Sequence, residues 1–156
     1  MKKVFTVEEV KKKIERYCMY QDRCHQEVEA KLKEYRLIPE ARALILLHLF
    51  EYDFLNEERF SKSFARGKFR IKKWGKEKIV RALKLRNITA ANIKIALEEI
   101  EEEEYINTLN ILVEKKNSSI NDRDIYKRKK KLFDYLKYRG YETDLVMDAI
   151  NAIKSS

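Results

Sequence analysis

Seven cations and two aromatic rings share the stretch ARGKFRIKKWGKEK, the part of the chain best equipped for chemistry. Arg66, Lys68, Arg70, Lys72, Lys73, Lys76 and Lys78 surround Phe69 and Trp74, and Arg81 follows. Ammonium and guanidinium groups at this density displace condensed counterions from a nucleic acid backbone, and an exposed ring can stack on an unpaired base. The formal net charge of +9 arises wholly here: residues 57–86 hold twelve basic and three acidic side chains, and the flanking segments are almost balanced. Such a local excess assigns the cations to a polyanion or an acidic protein surface. The aromatics are assigned first to packing, because joints between small helices need large side chains, with Trp74 kept among the candidate contacts. A second run, KRKKK at 127–131, adds Lys127, Arg128 and Lys130. Five consecutive cations wrap around more than one helical face. Asp122 and Asp124 offset them in part, and the acidic segment 98–104 can pair with the run or repel DNA from that side.

Other chemistries are weaker. Cys18 and Cys24 lie six positions apart, about 9 Å along a continuous helix, beyond the reach of a disulfide unless the chain turns between them. Reduced thiols are expected. Cys24 beside His25 suggests a metal, but zinc needs three or four ligands and His48 is the only other histidine. His48 stands among Leu44, Leu47 and Leu49, as a hydrogen-bonded helix residue would. Asp53, Glu57 and Glu58 are explained as acids at a helix start without invoking magnesium. No Walker loop, dinucleotide fingerprint, nucleophile elbow or HExxH is present. The expectation is a binding protein, not an enzyme, with no catalytic residue, no metal ligand and no cofactor.

The elements that must position these residues are helices. The chain of 156 residues has three glycines, one proline and 39% charged side chains, a composition that favours long helices over strands. Thr6 with Glu9 starts a helix from about Val7 to Tyr20, Asp22 can cap a second, and Pro39 suits the first turn of a third. Asn56 caps a fourth, Gly75 precedes a fifth that ends near Asn87, and Thr89 and Thr143 cap those that follow their turns. Asn121 caps the long basic helix and Gly140 ends it. Nine helices result. Segments 68–76 and 117–122 are read as the most mobile. No apolar run approaches the roughly 20 residues needed to cross a bilayer, and the start of the chain lacks a secretion signal, so a soluble cytoplasmic protein is expected.

One helical unit is written at least twice. Residues 76–97 lie over 129–150 at a constant offset of 53, with apolar positions coinciding throughout. Lys78, Leu83, Lys84, Arg86 and Ala96 meet identical residues at Lys131, Leu136, Lys137, Arg139 and Ala149. A fainter copy starts near Glu27, where Val28, Leu32 and Ile38 follow the same spacing with one insertion. The fold expected is all-α: tandem three-helix repeats in an elongated, curved array. The division read from the sequence is an N-terminal helix at 1–21 and repeats at 22–72, 73–118 and 119–156, the last with two helices. A monomer is expected.

The stretch LNEERFSKSFARGKF, followed by WGKEKIVRALKLRNI, resembles the pattern of the RecX regulatory proteins. Leu55, Glu57, Glu58, Arg59, Phe60, Gly75, Ile79, Leu83 and Ile88 carry it. EVEAKL at 27–32 is similar to the opening of the family's first repeat, and LKYRGYETDLVMDAI to its last. Asn87 and Leu37 stand where the family usually has glycine, and Asn56 where aspartate is common. Asparagine preserves left-handed geometry and capping, whereas Leu37 implies a first repeat that turns differently. The resemblance implies a modulator of RecA, the recombinase that coats single-stranded DNA. It would lie along the groove of the filament and restrain filament growth, ATP hydrolysis and strand exchange. The implied partners are the RecA filament and single-stranded DNA or another nucleic acid at the basic patch. A sequence-nonspecific DNA-binding protein acting without RecA and a protein-only adaptor remain the alternatives.

Overall fold

The computed structural model describes residues 4–153. Nine helices form within them: α1 (Val7–Tyr20), α2 (His25–Leu32), α3 (Pro39–Glu51), α4 (Glu57–Arg70), α5 (Lys76–Leu85), α6 (Ala90–Leu97), α7 (Glu102–Ser119), α8 (Ile125–Tyr138) and α9 (Thr143–Asn151). No strand occurs among the described residues, and the all-α expectation holds.

Several caps follow the sequence. Thr6 accepts from the Glu9 amide at 3.1 Å, Asn56 from Arg59 at 2.9 Å, and Thr89 from Asn92 at 3.2 Å. Pro39 opens α3, where its missing N–H leaves nothing unsatisfied. Three other starts differ from the sequence reading. Cys24, not Asp22, is the residue before α2; its amide donates to Glu27 Oε1 at 3.1 Å, while Asp22 accepts from Arg59 Nε at 2.8 Å. Asp124 replaces Asn121 as the cap of α8, accepting from the Tyr126 amide at 2.9 Å. Glu142 precedes α9, with Thr143 already helical. Adjacent capping candidates differ little in local preference, so tertiary partners such as Arg59 decide between them.

The repeat register survives in detail. Ile79 and Leu132, Leu83 and Leu136, and Ile93 and Val146 are paired by the offset of 53 and all buried. The first helix of each pair, α5 or α8, ends on a left-handed residue, Asn87 at φ 59° and Gly140 at φ 96°. The Ile88 amide donates to Leu83 O at 3.1 Å and the Tyr141 amide to Leu136 O at 3.2 Å, the same helix-terminating bond in both copies. Asp53, at φ 59°, ends α3 with the analogous bond from Phe54 N to Leu49 O at 2.9 Å. Glu142 occupies the place of Thr89 in this register, which is why the cap falls there and not on Thr143.

The helices pack as triplets α1–α3, α4–α6 and α7–α9, a frame one helix away from the division drawn above. The 53-residue register relates α5–α6 to α8–α9 and leaves open whether the third helix precedes or follows each pair. Packing answers this: α4 lies against α5 and α6, and α7 against α8 and α9. The second and third triplets share one core through Phe69, Tyr105, Leu136 and Tyr141, while α1–α3 have their own around Ile14, Leu32, Ile45 and Leu49. Each buried Leu or Ile contributes about 1.5–3 kcal/mol from area removed from water. Segments 68–76 and 117–122 are held by hydrogen bonds. The guanidinium of Arg128 donates to the carbonyls of Asn117, Ile120 and Asp122 and to Asn117 Oδ1, at 2.6–2.9 Å.

Candidate nucleic-acid interface

The candidate surface is built where the α4–α5 loop meets the α8–α9 turn. Lys73 adopts a left-handed φ of 58°, and the Trp74 amide donates to Lys68 O at 3.1 Å, so the chain reverses within a few residues. Gly75 then lies directly on Gly140. A Cβ on Gly75 would stand 2.3 Å from the Gly140 carbonyl carbon, and one on Gly140 2.3 Å from Lys78 Cβ. Neither position can carry a side chain without separating the two turns.

Hydrogen bonds fill this contact. The Gly75 amide donates to Arg139 O at 2.7 Å and the Glu77 amide to Gly140 O at 2.9 Å. Arg139 Nη1 donates to Lys72 O and the Tyr141 hydroxyl to Lys73 O, each at 2.9 Å. Lys137 Nζ meets Glu77 Oε1 at 2.8 Å. Beneath them the Tyr105 hydroxyl accepts from the Lys76 amide at 2.9 Å and donates to the Glu142 carboxylate. Burial first, and then the Glu142 carboxylate, push the Tyr105 phenol well above its ordinary range, so it remains protonated in this role.

On the outside of this clasp the cations lie on aromatic faces. Lys78 Nζ sits 4.7 Å from the Trp74 ring centre and 4.6 Å from that of Tyr138, spanning the two turns. Lys68 Nζ lies 4.9 Å from Trp74 and 5.5 Å from Phe64. Lys76 Nζ is 4.7 Å from the buried Tyr105 ring. Cation–π contacts at exposed sites are worth about 0.5–1 kcal/mol and leave the charge available to a phosphate. Lys72, Lys73 and Arg81 are exposed. Lys68, Lys72, Lys73, Trp74, Lys76 and Lys78 thus gather at this joint.

The remaining candidates go elsewhere. Arg66 pairs with Glu99 at 3.3 Å and Arg70 approaches Glu104 at 3.8 Å, so segment 98–104 neutralises part of α4 and not the 127–131 run. In that run Arg128 ties the preceding loop, and Lys130 pairs with Asp134 at 2.9 Å. Lys131 meets Asp122 at 3.5 Å, and Lys127 is exposed. The Asp124 amide, and then Lys131 and Lys127, hold the Asp122 carboxyl below its ordinary range.

Sequence reasoning missed Tyr138 and Arg139. Tyr138 is 77% exposed and carries Lys78 on its face. A signal existed for Arg139, because the register aligns it with Arg86, within the basic excess. The weaker chemistries are taken up by structural contacts. Phe69 is buried against Tyr105, with ring centres 5.7 Å apart. His48 meets Glu15 at 3.0 Å, and Asp53 meets Arg59 at 2.9 Å. Cys18 and Cys24 are unpaired and buried, and burial pushes both thiols up to about 11. Among the described residues no three His, Cys, Asp or Glu side chains are grouped to hold a metal, and no helix is long and apolar enough to cross a membrane.

A repeated three-helix unit, clasped to its neighbour and presenting cations on aromatic faces, defines a helical-repeat protein. Residues 56–97 match the family model of the second three-helix domain of RecX, and residues 102–150 that of the third. Together these cover more than half of the chain, which belongs to the RecX family. The chain is 32% identical over 90 residues to a regulatory protein RecX of Lactobacillus gasseri, covering 58% of this chain and 33% of that one. With the RecX of Bacillus cytotoxicus it shares 24% identity over 138 residues, 88% of this chain and 51% of the other. The chain therefore spans about half or less of the length of these relatives. The crystal structure of RecX from Lactobacillus salivarius has the same fold, with a TM-score of 0.82 at 20% identity over 93% of this chain and 94% of that one.

Proposed function

We propose that this chain binds the RecA nucleoprotein filament and restrains its ATPase, extension and strand exchange in recombination and repair, acting in the cytoplasm as a monomer. The observation that carries this reading is the clasp at Gly75 and Gly140, which fixes two neighbouring repeats into one surface bearing Lys68, Lys72, Lys73 and Lys78. A rigid array with contacts on successive repeats suits a polymeric target, since each weak contact raises the effective concentration of the next.

A second reading rests on the aromatic faces. Trp74 and Tyr138 with their cations have the composition of a single-strand binding surface, which would act on bare DNA without RecA. The test is binding to single-stranded DNA alone and to the same DNA coated with RecA and a nonhydrolysable ATP analogue, across a salt titration. The proposal expects markedly tighter binding to the coated DNA, and slower ATP hydrolysis by the filament. Equal or weaker binding to the filament would replace it with the DNA-binding reading. Replacing Lys72, Lys73, Lys76 and Lys78 by glutamate should abolish the preference, and unchanged filament binding would remove this surface from the function.

A further inference from the structure

A groove of about 320 Å³ runs between the end of α1 and the outer face of α4. Its floor is Phe60, Phe64 and Gly67, with Ile71, 77% exposed, at its rim. Gly67 is the anomaly. It lies inside a 14-residue helix, where glycine is among the poorest helix formers, and a Cβ added there would meet nothing within 4 Å. No neighbour in this chain requires the missing side chain, in contrast to Gly75 and Gly140. Its effect is to leave the α4 backbone bare on the side that faces the groove.

The lining has two unlike walls. Lys68, Lys72 and Arg86 stand on one side, and the first and last of these rest on the Phe64 ring at 5.5 Å and 4.8 Å. Gln21, Asp22 and Glu27 stand on the other, with Asp22 accepting from Arg59 and Glu27 from the Cys24 amide. Each carboxylate keeps acceptor sites free beside its one bond, and three cations against two anions leave the lining with a small positive excess. A nucleic acid strand threaded here would bring phosphates beside Asp22 and Glu27. A peptide would not, because its amide donors suit the acidic wall while a carboxylate reaches the basic one.

We infer that this groove takes an acidic peptide segment of the filament protein, with an apolar side chain seated over Gly67 and a carboxylate between Lys68, Lys72 and Arg86. The inference rests on the filament reading above and assigns Lys68 and Lys72, at the edge that the groove shares with the joint, to a protein contact. It also gives the helix-weakening glycine a use, since closest approach to the α4 backbone is possible only where no Cβ intervenes.

The test uses the full chain and two variants, Gly67→Ala and Gly67→Leu, with RecA-coated and bare single-stranded DNA as probes. Because nothing lies within 4 Å of the added Cβ, Gly67→Ala should melt at or above the wild-type temperature, and the melting temperature of Gly67→Leu is measured beside its affinities so that loss through unfolding is separated from loss of the contact. Filament binding should weaken at least tenfold in Gly67→Leu and less in Gly67→Ala, with bare-DNA binding unchanged. Equal filament affinity in all three proteins would overturn the inference. Loss on both probes alike would overturn it too, by giving the groove to nucleic acid. A wild-type chain that ignores the filament would instead refute the filament reading on which it depends.

Discussion

Placing alanine at Gly75 separates two explanations for the glycine pair. Gly140 has φ 96°, so a substitution there combines backbone strain with collision; Gly75 has φ −76°, and a substitution there meets collision alone. A Cβ on Gly75 would lie 2.3–2.4 Å from the carbonyl carbon and oxygen of Gly140 and the amide nitrogen of Tyr141, all backbone atoms that cannot rotate away. The turns must part, which breaks the bonds from Gly75 N to Arg139 O and from Glu77 N to Gly140 O. At about 0.5–1.5 kcal/mol net for each bond, Gly75→Ala should cost about 1–3 kcal/mol. Gly140→Ala adds about 1–2 kcal/mol for a left-handed residue with a Cβ, giving about 2–5 kcal/mol. The decisive companion is Gly140→Asn. Asparagine is already accepted at the register-equivalent Asn87, at φ 59°, so conformation alone would make it nearly harmless, whereas collision with Lys78 makes it about as damaging as Gly75→Ala. Urea unfolding of the four proteins, compared by midpoint at constant slope, measures these values. If Gly75→Ala and Gly140→Asn both unfold within about 0.5 kcal/mol of wild type, the close-packed clasp is not a feature of the protein in solution.

Three further outcomes are expected. Tyr138→Ala, which removes an exposed ring and its contact with Lys78, should cost no more than about 0.5–1 kcal/mol of stability and weaken single-stranded DNA binding by about 1–3 kcal/mol, read by fluorescence anisotropy; undiminished binding excludes stacking on this residue. Cys18 and Cys24 should resist alkylation at pH 8 and react once urea unfolds the chain, because burial keeps both thiols protonated. Since the folded thiols are raised to about 11 from an ordinary value of 9.0, the folded state binds more protons between these limits. Stability should fall as pH rises from 9.0 towards 11, and a double Cys→Ala variant should lose that part of the slope. Asp53 is held below the ordinary carboxylate range, first by the Asn56 amide and then by Arg59. Its stabilising effect is present above that range and lost as pH falls through it, so Asp53→Asn should show a shallower acid limb in a urea–pH series.

Much of the fold was legible in the sequence. The caps at Thr6, Asn56 and Thr89, the proline at the start of α3 and the left-handed ends at Asn87 and Gly140 follow from interactions within a few residues of each position. Leu37 also behaves as its departure from glycine implied. The turn after α2 closes through Tyr35 N to Leu32 O at 3.1 Å, with no left-handed residue. The start of α2 was harder to place, because Asp22 answers to Arg59, which is 37 residues away.

The sequence by itself determined helix content and the location of the charge excess, properties of composition and short-range spacing, together with the 53-residue register; the resemblance of its motifs pointed to the family. Only the tertiary structure decided which cations share a surface. Arg66 was taken by Glu99 in the α6–α7 turn, Arg70 by Glu104 at the start of α7, and Arg128 by three carbonyls, while Lys78 was brought to Tyr138 across 60 positions of sequence. Charge can be counted along a chain, but whether a cation faces solvent or an internal acceptor depends on which distant backbone and carboxylate groups packing brings within about 3–4 Å.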